Sequence, residues 1–289
     1  MKVLVAGGLG FVGSNLSRCL VAAGARVTIV DNQLPSGGAD PENLSGIASD
    51  VEVQLSDVCA PGVADRLVRD VRIVFHLAGA SGHLRSMRYP AEDAHANADT
   101  TLALLEACRR RNPDARFVFT SSRQVYGRIL HTPVDERHPV APLDVNGIHK
   151  LMSEQYIQRY HRLYGLPVSI LRLTNTYGPR QALKDHLGFM PCFLRRLREG
   201  QPIEIYGDGR QSRDLNHVDD VVAALLAAAI SERAIGRTYN LGHTQSHSLR
   251  DIAGALIRAW GRGSFVLKPF PELSRAIEIG NYQGDSSRI

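Results

Sequence analysis

The stretch Met1-Lys2-Val3-Leu4-Val5-Ala6-Gly7-Gly8-Leu9-Gly10-Phe11-Val12-Gly13 sets an apolar run of strand length against three glycines spaced three apart, at 7, 10 and 13. The run reads as a buried strand that turns directly into a helix. Glycine suits that turn because its dihedrals are unusual and because a side chain would hold a phosphate away from the helix N-terminus. A second apolar run, Val27 to Val30, ends in Asp31, close to the offset of about 20 residues expected of a ribose-binding carboxylate. Glycines and acid together read as a dinucleotide-binding turn. Asp31 accepts from a ribose hydroxyl and repels a 2′-phosphate, which favours NAD over NADP. Asp57, after the run Val51 to Leu55, reads either as a partner for the adenine amine or as a helix N-cap ahead of Pro61.

Outward from this turn, strand-length runs continue at Ile73–Leu77, Phe117–Thr120 and Val168–Leu173. They are continuously apolar rather than alternating, which implies burial on both faces of a parallel sheet. Helical patterns separate them at Gly13–Ala23, Pro61–Arg69, Ala96–Arg111 and Asn146–Tyr164. The fold class is therefore α/β, a Rossmann-type doubly wound parallel sheet. From Gly178 the pattern changes to helices at Phe189–Glu199, Asp219–Ala229 and Ser248–Trp260, with glycine-punctuated segments such as Ile203–Gly209. This divides the chain into a dinucleotide-binding domain, 1–177, and a smaller C-terminal substrate-binding lobe, 178–289. Ser36–Asp50 is expected to be the loosest loop.

The 289 residues, 44% hydrophobic and 22% charged, suffice for a sizeable core and exclude a broadly disordered chain. The +5 formal charge, 34 basic against 29 acidic residues, is scattered. It suits an anionic small molecule rather than the phosphate track of a nucleic acid. Cys19, Cys59, Cys108 and Cys192 form no Cys-x-x-Cys pair, so reduced, buried thiols are expected rather than a zinc site or disulfides. No basic-then-apolar leader precedes the first strand, and the longest apolar run, Val218–Ile230, is interrupted by Asp219 and Asp220. A cytoplasmic protein that uses no metal, membrane or nucleic acid is expected.

Further motifs follow in order: Phe75-His76-Leu77-Ala78-Gly79, Ser121-Ser122 before Val125-Tyr126-Gly127, Leu171 to Arg180, Gly207-Asp208-Gly209, Arg213-Asp214, and His217-Val218-Asp219-Asp220. With the glycine turn they make the chain resemble, over essentially its whole length, the extended short-chain dehydrogenase/reductases of the NAD-dependent nucleotide-sugar epimerase/dehydratase family. The resemblance implies a tightly held NAD that oxidises a sugar hydroxyl transiently and returns the hydride, while the protein orients the substrate and manages the proton. It places the cofactor against Gly7, Gly10, Phe11, Val12, Gly13, Asp31, Asn32, Asp57, Val58, Leu77, Ala78, Asn97 and Lys150. It places the nucleotide sugar against His83, Arg123, Asn175, Arg213 and Arg275, the arginines being suited to phosphate oxygens. It also implies a homodimer through Ala96–Arg111 and Asn146–Tyr164, with Leu102, Leu105 and Ile157 as apolar residues of those helices. Relatives usually continue beyond Ile289, which leaves Arg275 less well supported.

The family's proton relay is a serine or threonine followed by Tyr-x-x-x-Lys. Ser122 and Lys150 are in place, but four residues before the lysine stands Asn146. A tyrosinate normally takes the hydroxyl proton as hydride leaves, and an amide cannot. Asn146 can position a sugar, while Tyr126 and His83 are the candidates for the missing base; His149 is expected to face outward, about 100° round the helix from Lys150. The family's dehydratases carry Thr-Asp-Glu where this chain has Ser122-Arg123-Gln124, which argues against 4,6-dehydration. Arg123 then either meets an anionic group such as a uronate carboxylate or forms an outward salt bridge. The reading is an NAD-dependent nucleotide-sugar epimerase, with Ser122, Asn146, Lys150 and Tyr126 as catalytic candidates. A weakened nucleotide-sugar-binding protein, or a decarboxylase or ketoreductase on the same scaffold, is the alternative.

Overall fold

The apolar run at the head of the chain forms β1 (Lys2–Ala6), whose side chains divide between two cores, Leu4 and Ala6 on one face, Val3 and Val5 on the other. A strand buried on both faces needs helices on both sides. The computed structural model, which describes residues 1–35 and 37–289, supplies them. After β1 come α1 (Phe11–Ala22), β2 (Arg26–Asp31), β3 (Val51–Leu55), α2 (Val63–Leu67), β4 (Ile73–His76), α3 (His83–Arg88), α4 (Pro90–Ala94), α5 (Thr100–Arg111), β5 (Arg116–Ser122), α6 (Val145–Tyr164) and β6 (Val168–Leu173). The chain continues through β7 (Asn175–Tyr177), α7 (Phe189–Arg198), β8 (Ile203–Tyr206), β9 (Ser212–His217), α8 (Val218–Ile230), β10 (Arg237–Leu241), β11 (Ser246–Ser248), α9 (Leu249–Trp260), β12 (Phe265–Lys268) and α10 (Glu272–Ala276).

Seven strands form one all-parallel sheet in the order β10-β6-β5-β4-β1-β2-β3. Residues of α2, α5 and α6 cover one face; Leu16 and Leu20 of α1 and Val221, Val222 and Leu225 of α8 cover the other. Each such side chain contributes about 1.5–3 kcal/mol of burial. Strand order reverses between β1 and β4, and at such a switch point the strand ends diverge and open a crevice. The smaller lobe packs Met190, Phe193 and Leu197 of α7 on Ile203 and Ile205 of β8 and on Leu249, Ile252 and Ala253 of α9.

The expected strands and long helices are present, with five departures from expectation in the chain. The division at 177/178 is not a clean cut, because α8 and β10 return to the large sheet and β10 pairs with β6. Arg237-Thr238-Tyr239-Asn240-Leu241 escapes a search for buried strands because it is an edge strand, exposed at Arg237 and buried only at its end. The expected helix Ala96–Arg111 begins as a π-helical turn, His95–Asp99. That turn lets Asn97 donate to the Asp93 carbonyl at 3.0 Å and to its carboxylate at 3.1 Å. The expected loose loop is pinned: Ser36 lies outside the described residues, but Asp40 and Asn43 both bond the Leu9 carbonyl and Leu44 is buried. Of the four free thiols only Cys108 is buried, and Cys19 is exposed, contrary to expectation. Among the described residues no helix is long and apolar enough to cross a membrane.

Candidate active site

The switch point opens into a cleft of about 960 Å³ between the sheet and the smaller lobe. Its first wall is backbone. Gly7 adopts φ +84°, and a Cβ on it would lie 2.6 Å from the Ala78 nitrogen, so the ends of β1 and β4 meet only because that atom is missing. On Gly13 a Cβ would lie 2.1 Å from the Gly7 carbonyl oxygen. Helix α1 starts at Gly10 with no side-chain cap, which leaves the N–H groups of its first turn for an anion. Asp31, at the end of β2, is buried and accepts from the Leu9 and Gln33 amides at 3.1 and 2.9 Å. Burial raises its pKa and those two bonds oppose the rise. These features fit a dinucleotide, with the pyrophosphate on Gly10–Gly13 and a ribose on Asp31.

The floor joins β4, β5 and α6. Lys150 is buried, donates to the Thr120 carbonyl at 3.2 Å and lies 4.9 Å from the Phe119 ring centroid. Burial pushes its pKa down to about 8, against the pull of Asp93 and Glu154. A Cβ on Gly79 would sit 2.5 Å from Asn97 Oδ1 and 3.0 Å from Lys150 Nζ. Asn97 Oδ1 is buried with no hydrogen-bond partner, an acceptor left over beside the cleft. Ser122 accepts from the Gln124 amide at 3.2 Å, which keeps its hydroxyl proton available to a substrate oxygen.

Asn146 lines the cleft but is occupied. Its Nδ2 donates to the Ala80 carbonyl at 2.9 Å and to Asp93 Oδ2 at 3.0 Å, and its backbone N–H donates to Ser86 Oγ at 3.1 Å. His149 does not face outward as expected; it is half-buried, with Nδ1 2.7 Å from Asp93 Oδ1. Tyr126 is withdrawn as a base, since it lies outside the cleft lining and is 1% exposed. Its phenol donates to Asn240 and accepts from Arg172, and burial holds its pKa above the ordinary value. Arg172 in turn forms a two-pronged pair with buried Glu154, so Tyr126 belongs to a structural network.

The second wall is built of side chains. Arg123 lines the cleft rather than turning outward; its Nη2 donates to Asn175 Oδ1 at 3.2 Å and its guanidinium sits over Tyr282, 5.1 Å from the centroid. Its Nη1 is buried without a hydrogen-bond partner, and no carboxylate among the described residues forms an ion pair with it at 4.0 Å or less. Burial, with Arg213 nearby, lowers its pKa to about 10, so it stays charged at neutral pH. Asn175 also donates to the Asp214 carbonyl. Arg213 lines the cleft but is bound to Glu278 and to two backbone carbonyls. Arg275 is exposed and outside the lining; Ser274, Ile277 and Glu278 stand there instead, because one turn of α10 carries Arg275 to the solvent side.

Among the cofactor candidates, Gly7, Gly10, Phe11, Val12, Gly13, Leu77 and Lys150 line the cleft, while Asp31, Asn32, Asp57, Val58, Ala78 and Asn97 lie beyond its lining. Asp57 is no helix N-cap: α2 starts at Val63, and the carboxylate instead holds the Cys59 amide at 2.7 Å and His95 Nε2 at 2.8 Å. His83 lines the opposite wall with Nδ1 3.0 Å from Asp144 Oδ2. Sequence reasoning missed Asp144, Glu278 and Asp93. Asp144 carried a signal, an acidic residue just before a helix, but nothing local marks its partner 61 residues away.

A family model described as NAD dependent epimerase/dehydratase family matches residues 3–242. UDP-glucose 4-epimerase of Mycolicibacterium smegmatis is 32% identical over 90% of this chain and 83% of its own. The solved UDP-glucose 4-epimerase of Thermotoga maritima, with UDP-glucose, superimposes at TM-score 0.91 and 30% identity over 100% of this chain and 91% of that one. UDP-glucuronic acid 4-epimerase of Bacillus cereus, solved with UDP-glucuronic acid and NAD, gives TM-score 0.88 and 28% identity over 100% and 91%.

Proposed function

The chain belongs to the NAD-dependent epimerase/dehydratase family, and from that premise we propose that it epimerises a nucleotide sugar by transient oxidation of a ring hydroxyl. When bound, NAD supplies the hydride acceptor. The chain's own residues hold and orient: Gly10–Gly13 and Asp31 the dinucleotide, Lys150 the nicotinamide ribose, Ser122 the reacting oxygen. The observation that carries the reading is the meeting of Ser122, Lys150 and the uncapped α1 terminus in one cleft with Arg123 and Asn175 opposite. Arg123, buried with an unused Nη1, is assigned to an anionic group of the substrate, a phosphate or a sugar carboxylate.

A second reading, a nucleotide-sugar-binding protein of weakened activity, rests on Asn146, whose amide cannot accept the proton. One experiment separates the two. The protein is incubated with NAD and UDP-, GDP-, CDP- and dTDP-sugars, uronates included, while NADH absorbance is followed and products are resolved by chromatography and mass spectrometry. An isomer of unchanged mass is expected; loss of mass would indicate decarboxylation or dehydration, and tight binding without product would favour the second reading. The free thiols suit a reducing compartment such as the cytoplasm. For the homodimer, exposed Ile148 and Met152 on α6 replace Leu105 and Ile157, which are fully buried in the core.

A further inference from the structure

Removing a tyrosine from a proton relay leaves a chemical vacancy that must be filled by a group in the same cleft with a lone pair and a way to hold the resulting charge. Among the cleft residues His83 has both, and what equips it is Asp144.

Asp144 is the N-cap of α6, two residues before Asn146. It is buried, its Oδ1 accepts from the Gly147 amide at 2.7 Å, and its Oδ2 accepts from Gln124 Nε2 at 2.9 Å while lying 3.0 Å from His83 Nδ1. Burial by itself would raise this carboxyl, but the contact with His83 and the two other bonds take its pKa below the ordinary value. It is a fixed anion at a helix N-terminus. His83 Nδ1 is buried and 3.0 Å from that carboxylate but not aligned for a hydrogen bond, so a rotation of the ring completes the bond, leaves the Nε2 lone pair free and lets the carboxylate stabilise the imidazolium once a proton arrives.

The backbone is held as firmly. Ser86 Oγ donates to the His83 carbonyl at 2.8 Å and accepts the Asn146 N–H at 3.1 Å, which clamps the first turn of α3 to the first turn of α6. Gln124, the other partner of Asp144, belongs to the turn that begins at Ser122. One carboxylate thus ties together the histidine, the serine turn and the helix that carries Asn146 and Lys150. The His83 side chain remains 41% exposed to the cleft.

The geometry points to His83, oriented by Asp144, as the general base that takes the substrate hydroxyl proton in place of the absent tyrosine. The inference rests on the epimerase reading above. In the oxidation the substrate C–H bond breaks and its electron pair leaves as hydride to the oxidised nicotinamide. The O–H bond breaks, its electrons form the carbonyl, and the proton goes to Nε2; hydride return to the other face of the carbonyl draws the proton back. The charged and titratable groups round His83 are Asp144 on α6, Arg85 and Arg88 on its own helix, and His186 from the turn packed against Gly82; the Arg85 guanidinium is already paired with Glu92.

His83→Gln keeps a donor for Asp144 but cannot take a proton. It is expected to lower kcat by about 10²–10⁴-fold with KM changed only a few-fold, to leave NAD affinity intact, and to abolish the acid limb of the pH profile. Asp144→Asn keeps a good N-cap, so the helix survives. By 15N NMR of the imidazole in the protein without substrate, this change is expected to shift the neutral ring from its Nδ1–H toward its Nε2–H form. A His83→Gln enzyme with the wild-type rate and pH limb, or a His83 ring tautomer indifferent to Asp144→Asn, overturns the inference. Failure of the wild type on every nucleotide sugar would overturn the epimerase reading and with it the base role, while the 15N spectrum would still decide whether the histidine–aspartate pair exists.

Discussion

The two walls of the cleft are made differently. The wall assigned to the cofactor is almost continuous in sequence, a strand, a glycine turn and a helix start within residues 2–13, backed by Asp31, and most of its chemistry belongs to the backbone. The wall assigned to the substrate draws His83, Arg123, Asn175, Arg213 and Glu278 from five separate segments, with Asp144 behind His83, and holds them by side-chain contacts. A backbone wall fails by steric intrusion. A side-chain wall fails one bond at a time, so substitutions of similar size should act unequally on the two.

The largest effect is expected from Gly13→Ala. Its methyl must displace the Gly7 carbonyl, 2.1 Å from the new Cβ, so it should cost about 3 kcal/mol or more in thermal unfolding and at least about 100-fold in NAD affinity. Unchanged NAD binding would show that the cofactor wall is not held by backbone fit. Beneath the substrate wall, Arg172→Met strands the buried Glu154 carboxylate and should cost about 3–5 kcal/mol in denaturant unfolding, with NAD affinity per folded molecule preserved.

Lys150→Met should lower kcat by about 10²–10³-fold, and it carries a pH signature as well. The folded chain releases this proton near pH 8 and the unfolded chain near 10.5. Between those values unfolding takes up a proton, so wild-type stability gains a rising contribution with pH that the variant lacks; matched melting curves from pH 8 to 10.5 would reveal it. The smallest effect belongs to Arg123→Leu, about 10-fold in substrate KM and none on NAD affinity. If the loss is greater for uronates than for neutral sugars, the anion it meets is the sugar carboxylate; if equal, the phosphate.

What was legible in the sequence follows the same divide. Glycines 7, 10 and 13, Asp31 and the strands with continuous apolar runs could be read because each is decided by its neighbours in the chain. The meeting of Lys150 and Ser122 in one cleft could be read because the motifs that carry them are short. Tyr126 misled because a motif position says nothing of burial, and Arg275 because one helical turn decides which side an arginine faces. Glu278 and Asp93 were illegible, and Asp144 legible only as an acidic residue before a helix, since their importance lies in partners such as Arg213, Asn146 and His83, 53 to 65 residues away in the chain. The edge strand β10 was missed for want of an apolar run.

That edge strand matters for how the molecule can be cut. A chain ending after Tyr177 would keep the dinucleotide turn but lose both α8, which covers the α1 side of the sheet, and β10, which covers the open edge of β6. The bared edge would be Val168-Ser169-Ile170-Leu171-Arg172-Leu173, a flat, mostly aliphatic strand with free backbone donors and acceptors, the kind of surface that recruits copies of itself. The first 177 residues should therefore aggregate when expressed alone, and a soluble cofactor-binding fragment has to retain the chain as far as Leu241.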